Sequence, residues 1–382
     1  MRKTKKRAKT FPELLEAVAT KLRPPFGILL GSPGEVAELL PALPEGDVAC
    51  YQMDLYQADR LREHLGDQAG RATIEMHADL WDTPLPSPAG RGEEGEGEAS
   101  DVLDLPPHPR PLSQGERGGF QTLIYPVPHG GERALKLDML EQAFHVIRPN
   151  GALIVLSPYE KEDFFQGALK KVFGKVHAPM DGDGKVLWAL RTGERRRRRH
   201  EMTYHVRVDE QTSYCFVSRP GVFGYGFYDE GARALMEATE LTEGQRVLDL
   251  GCGVGTNGIL AARRIGPTGS VVFADSNVRA IALAELNARA IGVPNFETLV
   301  SHTLTELAPA SFDAVLANPP YYAQGAIIRL FIERSQMLLR PGGTLYLVTK
   351  RVDTTWPTIQ EFFPEPEMYE NRGYVIFRST KT

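Results

Sequence analysis

The sequence has little cysteine and no long apolar run, and both scarcities narrow the classes of protein it can encode. Three cysteines occur among 382 residues, at Cys50, Cys215 and Cys252. This odd, widely spaced set argues against a disulfide framework or a zinc site and fits a reducing compartment, the cytoplasm. No apolar run approaches the roughly 20 residues that span a bilayer. No apolar segment follows the basic start MRKTKKRAKT, so we expect neither a membrane anchor nor a signal peptide.

A large excess of positive charge is also absent. The chain has 44 Lys and Arg against 49 Asp and Glu, a net charge of −5, which argues against a generic nucleic-acid binder. The basic residues are nevertheless concentrated in two places, the first ten residues and the unbroken run Arg195–Arg199. Both runs suit contacts with phosphate groups, although such runs are more often simply solvated.

Composition divides the chain into parts. Residues 84–119 are crowded with Pro, Gly, Ser and Glu and have almost no apolar content, so we predict a disordered insertion there. The arginine run predicts an exposed linker at 193–201. Beside a basic tail at 1–10, we therefore expect one domain at 11–192 and a second at 202–382, in keeping with the chain length.

The second domain alternates apolar, strand-like runs with helical ones. Strands are predicted at 246–250, 270–275, 312–318, 344–350 and 374–379, and helices at 228–240, from about 256 to 264, at 277–291 and at 327–339. This alternation predicts an α/β fold with a doubly wound parallel sheet.

The chain also repeats itself. Residues 120–156 align without a gap on residues 312–348, at a constant offset of 192. Both stretches contain an Arg-Pro-x-Gly turn, at Arg148–Gly151 and at Arg340–Gly343. Because an ungapped register with a shared turn is hard to obtain by chance, we predict two tandem copies of one α/β fold.

The strongest local motif is VLDLGCGVG, at residues 247–255. A strand runs into Asp249, and Gly251, Gly253 and Gly255 follow in a turn that lets the backbone approach a ligand. The carboxylate would repel a pyrophosphate but attract the positive amino-acid end of S-adenosylmethionine. Asp275 ends the next strand, where an acid binds the ribose hydroxyls of a nucleoside; the alternative is that it only caps the following helix.

The second motif is Asn318-Pro319-Pro320-Tyr321, at the end of the 312–318 strand. Two prolines remove two backbone donors and leave carbonyl oxygens beside the Asn318 amide. These acceptors suit a planar amino group, and Tyr321 offers an aromatic face to a base. The alternative is a plain turn between strand and helix.

Together these motifs resemble class I S-adenosylmethionine-dependent methyltransferases with an NPPY motif. The whole chain is similar to the ribosomal RNA guanine-N2 methyltransferases of the small-subunit methyltransferase C and large-subunit methyltransferase G group, whose PGVF…LDxG pattern resembles Pro220–Phe223 and Tyr228–Gly231. The resemblance implies two Rossmann-like domains, S-adenosylmethionine as cofactor, and ribosomal RNA or a ribosomal subunit as partner. It also implies a monomer without metal, and catalytic roles for Asn318, Pro319 and Tyr321.

The sequence departs from that group at two places. Tyr321-Tyr322 replace a usual Phe-His pair, and Ser301-His302 stand where relatives place an acid or Asn near the adenine. We therefore expect Ser301 and His302 to line the cofactor pocket. Two other functions stay open, a protein glutamine-amide or adenine-N6 methyltransferase and a non-enzymatic RNA-binding module.

The first copy lacks the residues that carry this chemistry. Leu29 is expected to stand in place of Asp249, Gln52 in place of Asp275, and Pro126–His129 in place of the NPPY segment. We therefore predict that the N-terminal domain is degenerate and supports RNA contact or the active half.

Overall fold

The computed structural model describes residues 9–82, 119–128, 130–159, 162–320 and 325–382. The chain divides into two compact units between Arg198 and Arg199, inside the predicted linker. Residues 52–60 and 76–78 group with the C-terminal unit although they come from the first half of the chain, which the sequence did not indicate. The predicted insertion, except Gly119, and residues 1–8 of the tail lie outside the described residues.

The first half of the chain forms one seven-stranded sheet. Its strands are β1 (Phe26–Leu29), β2 (Val48–Gln52), β3 (Ala72–Met76), β4 (Phe120–Pro126), β5 (Ile147–Ser157), β6 (His177–Gly182) and β7 (Gly184–Leu190). Its helices are α1 (Phe11–Glu16), α2 (Pro33–Leu39), α3 (Leu55–Leu65), α4 (Arg133–Val146) and α5 (Phe164–Phe173). The strand order is β3-β2-β1-β4-β5-β7-β6, and β7 runs antiparallel to β5 and β6.

The second half forms a hairpin and another seven-stranded sheet. Its strands are β8 (Met202–Arg207), β9 (Ser213–Ser218), β10 (Arg246–Leu250), β11 (Ser270–Asp275), β12 (Phe296–Val300), β13 (Phe312–Ala317), β14 (Leu339–Thr349), β15 (Glu367–Asn371) and β16 (Tyr374–Thr380). Its helices are α6 (Glu230–Ala238), α7 (Thr256–Ile265), α8 (Val278–Ile291), α9 (Ala326–Leu338) and α10 (Val352–Phe362). The order β12-β11-β10-β13-β14-β16-β15 reproduces that of the first sheet.

The two sheets share the same strand order and also the same irregularity in strand pairing. In the first, the register of β4 and β5 shifts between Phe120 and Thr122; in the second, that of β13 and β14 shifts between Phe312 and Ala314, 192 positions later. This agreement confirms the prediction of two tandem Rossmann-like α/β domains.

The shared Arg-Pro-x-Gly turn has a physical cause in both sheets. Its third residue adopts a left-handed backbone, with φ of 63° at Asn150 and 82° at Gly342. A Cβ on the following glycine would lie 2.9 Å from a backbone oxygen, that of Gln121 for Gly151 and that of Arg340 for Gly343. Only glycine fits so close an approach, so this position is fixed by the fold.

Strand pairing corrects one predicted equivalence between the copies. Asp249 pairs with Leu316 of β13, and the residue 192 positions before Leu316 is Ile124, which pairs with Ile28. Ile28, not Leu29, therefore stands in place of Asp249. The prediction was wrong by one residue because it counted back two positions from the first glycine of each loop, Gly31 and Gly251. The loop after β1 starts one residue farther from its glycine than the loop after β10 does, so the true equivalent lies three positions before Gly31.

The sequence also missed several elements. The sheet is mixed rather than wholly parallel, because β16 pairs antiparallel with both β14 and β15. The β8–β9 hairpin, the edge strands β12 and β15, and α10 were not predicted. The two edge strands are only half-buried and lack a continuous apolar run, while α10 contains Pro357, a residue that ordinarily interrupts helices.

Successive side chains of the central strands pack into two hydrophobic cores, one on each face of the C-terminal sheet. Val247 packs with residues of α6, α7 and α8, whereas its neighbour Leu248 packs with residues of α9 and α10. This burial on both faces holds the carboxyl ends of the strands rigidly in place. Within the described ranges, no helix has the length and apolar character needed to cross a bilayer.

Candidate active site

The predicted motifs meet at the carboxyl edge of three adjacent strands. Strand β10 lies between β11 and β13, and Asp249 pairs with Phe273 on one side and Leu316 on the other. Asp275 therefore ends one neighbouring strand, and Asn318 follows the other directly. Asp249, Asn318 and the glycine turn line one open cleft. This edge is the position at which open α/β sheets bind ligands.

The glycine turn leads into α7 without a side-chain cap. Gly251, Gly253 and Gly255 have φ of 71°, 54° and 82°, and Gly255 occupies the N-cap position. A Cβ on Gly255 would lie 3.0 Å from the Cα of Ala284, so this glycine also permits the close packing of α7 on α8. In the first turn of α7, the Gly258 N–H donates to Asp249 of β10 rather than to a side chain at the N-cap position.

Asp249 is a buried carboxylate facing the cleft. Its Oδ2 accepts a hydrogen bond of 2.8 Å from the Gly258 backbone N–H. Burial raises the pKa of Asp249 from 3.8 to about 7; the Gly258 N–H acts in the opposite direction, and the nearby Asp275 charge adds to the rise. A cationic ligand would bind favourably beside Asp249, because its positive charge would stabilise the ionised form of the carboxyl group.

Asp275 connects the second strand to the glycine turn. Its Oδ2 accepts from the Gly253 N–H at 3.0 Å, and its Oδ1 accepts from the Asn277 N–H at 2.9 Å. The cap of α8 is Asn277, whose side chain accepts from Arg279 and Ala280, so Asp275 is not needed for that purpose. Burial raises the pKa of Asp275, while the two N–H donors act against the rise.

Asn318 is half-buried at the end of β13, and Pro319 beside it is buried. The Asn318 Nδ2 donates to Asp229 Oδ2 at 3.3 Å. Asp229 is the N-cap of α6 and accepts from the Ala232 N–H through the same oxygen. Tyr321 lies outside the described residues, so its predicted stacking role stays a prediction.

Ser301 and His302 follow β12, beside the end of β11. The Ser301 hydroxyl donates to Glu306 at 2.9 Å and accepts from the N–H groups of Thr303 and Leu304, so its hydrogen bonds hold the local loop. The His302 Nε2 lies 2.9 Å from Asp59 Oδ2, within the same unit. Their assignment to the cofactor pocket remains a prediction.

The cleft contains further residues to which the sequence analysis assigned no role. They include Tyr204, Phe223, Phe227, Tyr228, Asp229, Thr256 and Asn257, of which Phe223, Tyr228 and Asp229 lie in the two segments that carry the family resemblance. Two tyrosines anchor the start of α7, since the Tyr204 hydroxyl lies 2.6 Å from the Thr256 hydroxyl and that of Tyr228 donates to Asn257. Thr256 and Asn257 directly follow the glycine turn, so the motif could have been extended to include them. Tyr204 carries no such signal because it comes from the unpredicted hairpin.

Among the residues that the structure describes, no group of three or more His, Cys, Asp or Glu side chains could hold a metal ion.

Comparison with known proteins finds similarity to methyltransferases over part of the chain. Residues 213–378 match the methyltransferase small domain. The chain is 35% identical over 172 residues to the ribosomal RNA small subunit methyltransferase C of Hahella chejuensis, covering 44% of this chain and 46% of that protein. It is 29% identical over 180 residues to the ribosomal RNA large subunit methyltransferase G of Yersinia enterocolitica, covering 45% of each. The chain thus spans about half the length of the curated relatives it matches.

A solved structure extends the similarity of fold to nearly the full length. The T. thermophilus 16S rRNA N2 G1207 methyltransferase, in complex with AdoMet and guanosine, matches with a TM-score of 0.70 at 20% identity, over 97% of this chain and 92% of that one. The methyltransferase small domain match and these relatives confirm the resemblance predicted from the motifs.

Proposed function

We propose that the chain is an S-adenosylmethionine-dependent methyltransferase that modifies the exocyclic N2 amine of a guanine in ribosomal RNA. The observation that carries this proposal is the meeting of Asp275, Asp249 and Asn318 at the ends of three adjacent strands. The similarity to ribosomal RNA methyltransferases C and G, and to a fold that binds AdoMet and guanosine, supports the choice of cofactor and base.

The residues present fit this cofactor. The left-handed glycines leave open space beside the backbone, since a Cβ on Gly253 would meet nothing closer than 3.7 Å. Asp249 offers a buried anion to the amino-acid end. Asp275 lies beside the turn, where its carboxylate oxygens keep acceptor capacity beyond the N–H bonds from Gly253 and Asn277 for the ribose hydroxyls. When bound, S-adenosylmethionine supplies an electrophilic methyl group on a sulfonium centre.

The target amine would be held by two acceptors. The Asn318 side-chain oxygen and the Pro319 carbonyl would each accept one N–H bond, which aims the nitrogen lone pair into the cleft. Catalysis then consists mainly of positioning, because a correctly oriented reactant pair gains several powers of ten in rate. No strong base is required, since the nitrogen becomes acidic once it has been alkylated and then loses its proton to water.

The base itself must leave its stack to reach this cleft. Phe223 and Phe227 are 53% and 55% exposed and line the same cleft as Asn318. Exposed aromatic rings at a ligand site are suited to stacking on a nucleobase. They provide an aromatic wall in addition to the predicted ring of Tyr321.

The N-terminal domain is proposed to be non-catalytic. Ile28 and Gln52 occupy the positions of Asp249 and Asp275, as the strand registers indicate. At the position of α7, helix α2 starts with a capping box in which Ser32 and Glu35 satisfy each other's backbone N–H groups. The N-terminus of α2 is therefore capped by its own side chains, whereas α7 has Gly255 at its N-cap and its Gly258 N–H donates to Asp249.

The test is methyl transfer from labelled S-adenosylmethionine onto fractionated ribosomal RNA and protein from a strain lacking the gene. Label should enter N2-methylguanine of one ribosomal RNA. Asn318→Ala should lower turnover by roughly 10²–10³, in line with the loss of one positioned hydrogen bond in a catalytic site. Asn295→Ala serves as the matched control, because Asn295 lies in the turn before β12, near the start of β11 and thus at the opposite end of the strand from the cleft. Label in a protein glutamine, or an unchanged rate for Asn318→Ala, would refute the proposal.

A further inference from the structure

Asp229 contacts the proposed catalytic amide from across the cleft. We propose that Asp229 is a positioning residue that sets the orientation of the Asn318 amide and thereby makes the cleft accept, rather than donate, hydrogen bonds at the target amine. The inference rests on the proposed function. Its basis is the 3.3 Å hydrogen bond from Asn318 Nδ2 to Asp229 Oδ2, between two side chains that line the same cleft.

The chemistry of the pair determines which end of the amide faces Asp229. A carboxylate can only accept hydrogen bonds, whereas an amide has a donating end and an accepting end. Asn318 must therefore turn its NH2 toward Asp229, and its oxygen points to the opposite side. Rotated by half a turn, the amide would present a donor to the N–H bonds of the target amine, and that arrangement cannot bind.

Asp229 can perform this role because it is itself fixed. As N-cap of α6, its Oδ2 accepts from the Ala232 N–H at 2.9 Å. The preceding Tyr228 hydroxyl donates to Asn257 Oδ1 at 3.0 Å and so ties the start of α6 to α7. The same oxygen thus serves the helix cap and the Asn318 amide, and three variants can separate these two roles.

The variants differ in which contact they keep. Asp229→Asn can place its amide oxygen where Oδ2 lies, so it retains both the cap and the bond from Asn318. Asp229→Ser retains a good N-cap, but its hydroxyl is one bond shorter and does not reach Asn318. Asp229→Ala removes both. Asp209→Ser is the matched control, because Asp209 accepts from backbone N–H groups of an exposed turn outside the cleft.

The experiment measures kcat of each full-length variant on ribosomal RNA from the strain lacking the gene, with cofactor Kd and melting temperature in parallel. Asp229→Ser should melt within about a degree or two of wild type and bind S-adenosylmethionine normally, while its kcat falls by about 10–100-fold, the range expected when a hydrogen bond to a charged group is lost. Asp229→Asn should restore kcat to within about threefold of wild type. Asp209→Ser should leave kcat unchanged.

A double-mutant cycle separates positioning from a general structural effect. In an Asn318→Ala background, Asp229→Ser should lower kcat by less than about twofold, because there is no amide left to orient. A wild-type kcat for Asp229→Ser, or losses that multiply in the double variant, would overturn the positioning role. These outcomes leave the proposed function intact, which fails separately if Asn318→Ala alone keeps the wild-type rate.

Discussion

Cofactor binding should depend on pH through Asp249, and the dependence can be worked out from its burial. Raising the pKa of this carboxyl from 3.8 to about 7 disfavours its ionised form by about 4 kcal/mol in the ligand-free protein. A cationic amino group placed beside Asp249 favours the ionised form. Binding at or below neutral pH should therefore release a proton, and affinity should rise as the pH increases.

The magnitude follows from the ionised fraction. With a pKa of about 7, roughly a tenth of the protein carries an ionised Asp249 at pH 6 and roughly nine-tenths at pH 8, so the affinity for S-adenosylmethionine should increase about tenfold between them.

The free energy of unfolding of the ligand-free protein should change with pH in the opposite direction to the affinity. Between about pH 4 and 7 the folded state holds a proton that the unfolded state has lost, so this group's contribution to stability falls as the pH rises.

The assay is isothermal titration calorimetry in two buffers of different ionisation enthalpy, which reports the protons released on binding. Asp249→Asn is the matched control, since it keeps the shape and an acceptor for the Gly258 N–H but does not ionise. The amino group of the cofactor titrates near pH 8, and the variant measures that contribution alone. Parallel affinity-against-pH curves for wild type and Asp249→Asn would refute the assignment of Asp249 to the amino-acid end.

Three further variants test other parts of the C-terminal unit. Asp275→Ala should weaken cofactor binding by roughly 1–3 kcal/mol in calorimetry, and wild-type affinity would refute the ribose assignment. Arg279→Met should lower the free energy of unfolding in urea by about 2–4 kcal/mol, because the wholly buried guanidinium donates to two backbone carbonyls; an unchanged midpoint would contradict this. Gly255→Ala should be less stable than Gly292→Ala by about 1–3 kcal/mol, since both have φ of 82° but only Gly255 would place a Cβ 3.0 Å from Ala284. Equal losses would show that backbone strain alone accounts for the effect.

Apolar runs in the sequence correctly predicted the central strands, because strands that are buried on both faces consist almost entirely of apolar residues. The predicted strands at 246–250 and 270–275 coincide with β10 and β11, whose apolar runs are nearly continuous. The strand predicted at 344–350 instead starts at Leu339, directly after α9, because Leu339 already pairs with Phe312 of β13. The turn at 340–343 forms the irregularity between that pair and the next one, and a polar turn inside a strand gives no apolar signal from which the earlier start could be predicted.

The site could be predicted only as far as its residues belong to motifs. Asp249, Asp275 and Asn318 stand at strand ends, and parallel pairing alone brings such positions together. Asp229 lies 89 positions before Asn318, and their contact depends on how α6 packs against the sheet. Similarly, the hydrogen bond from Arg279 to the Ala78 carbonyl joins residues 201 positions apart. Contacts of this kind arise from tertiary packing, and no local pattern encodes them.

The duplicated fold separates what the structure requires from what the chemistry requires. Gly151 and Gly343 are kept in both copies because a Cβ would collide with backbone oxygens in either sheet. The position of Asp249, by contrast, is filled by Ile28 in the first copy, so the fold does not need a carboxylate there. An apolar side chain at a buried strand position stabilises the fold, whereas Asp249 is buried at a cost of about 4 kcal/mol when ionised. A costly buried carboxylate at this strand position in only one of the two copies supports the proposal that this copy, and not the other, binds a cationic ligand.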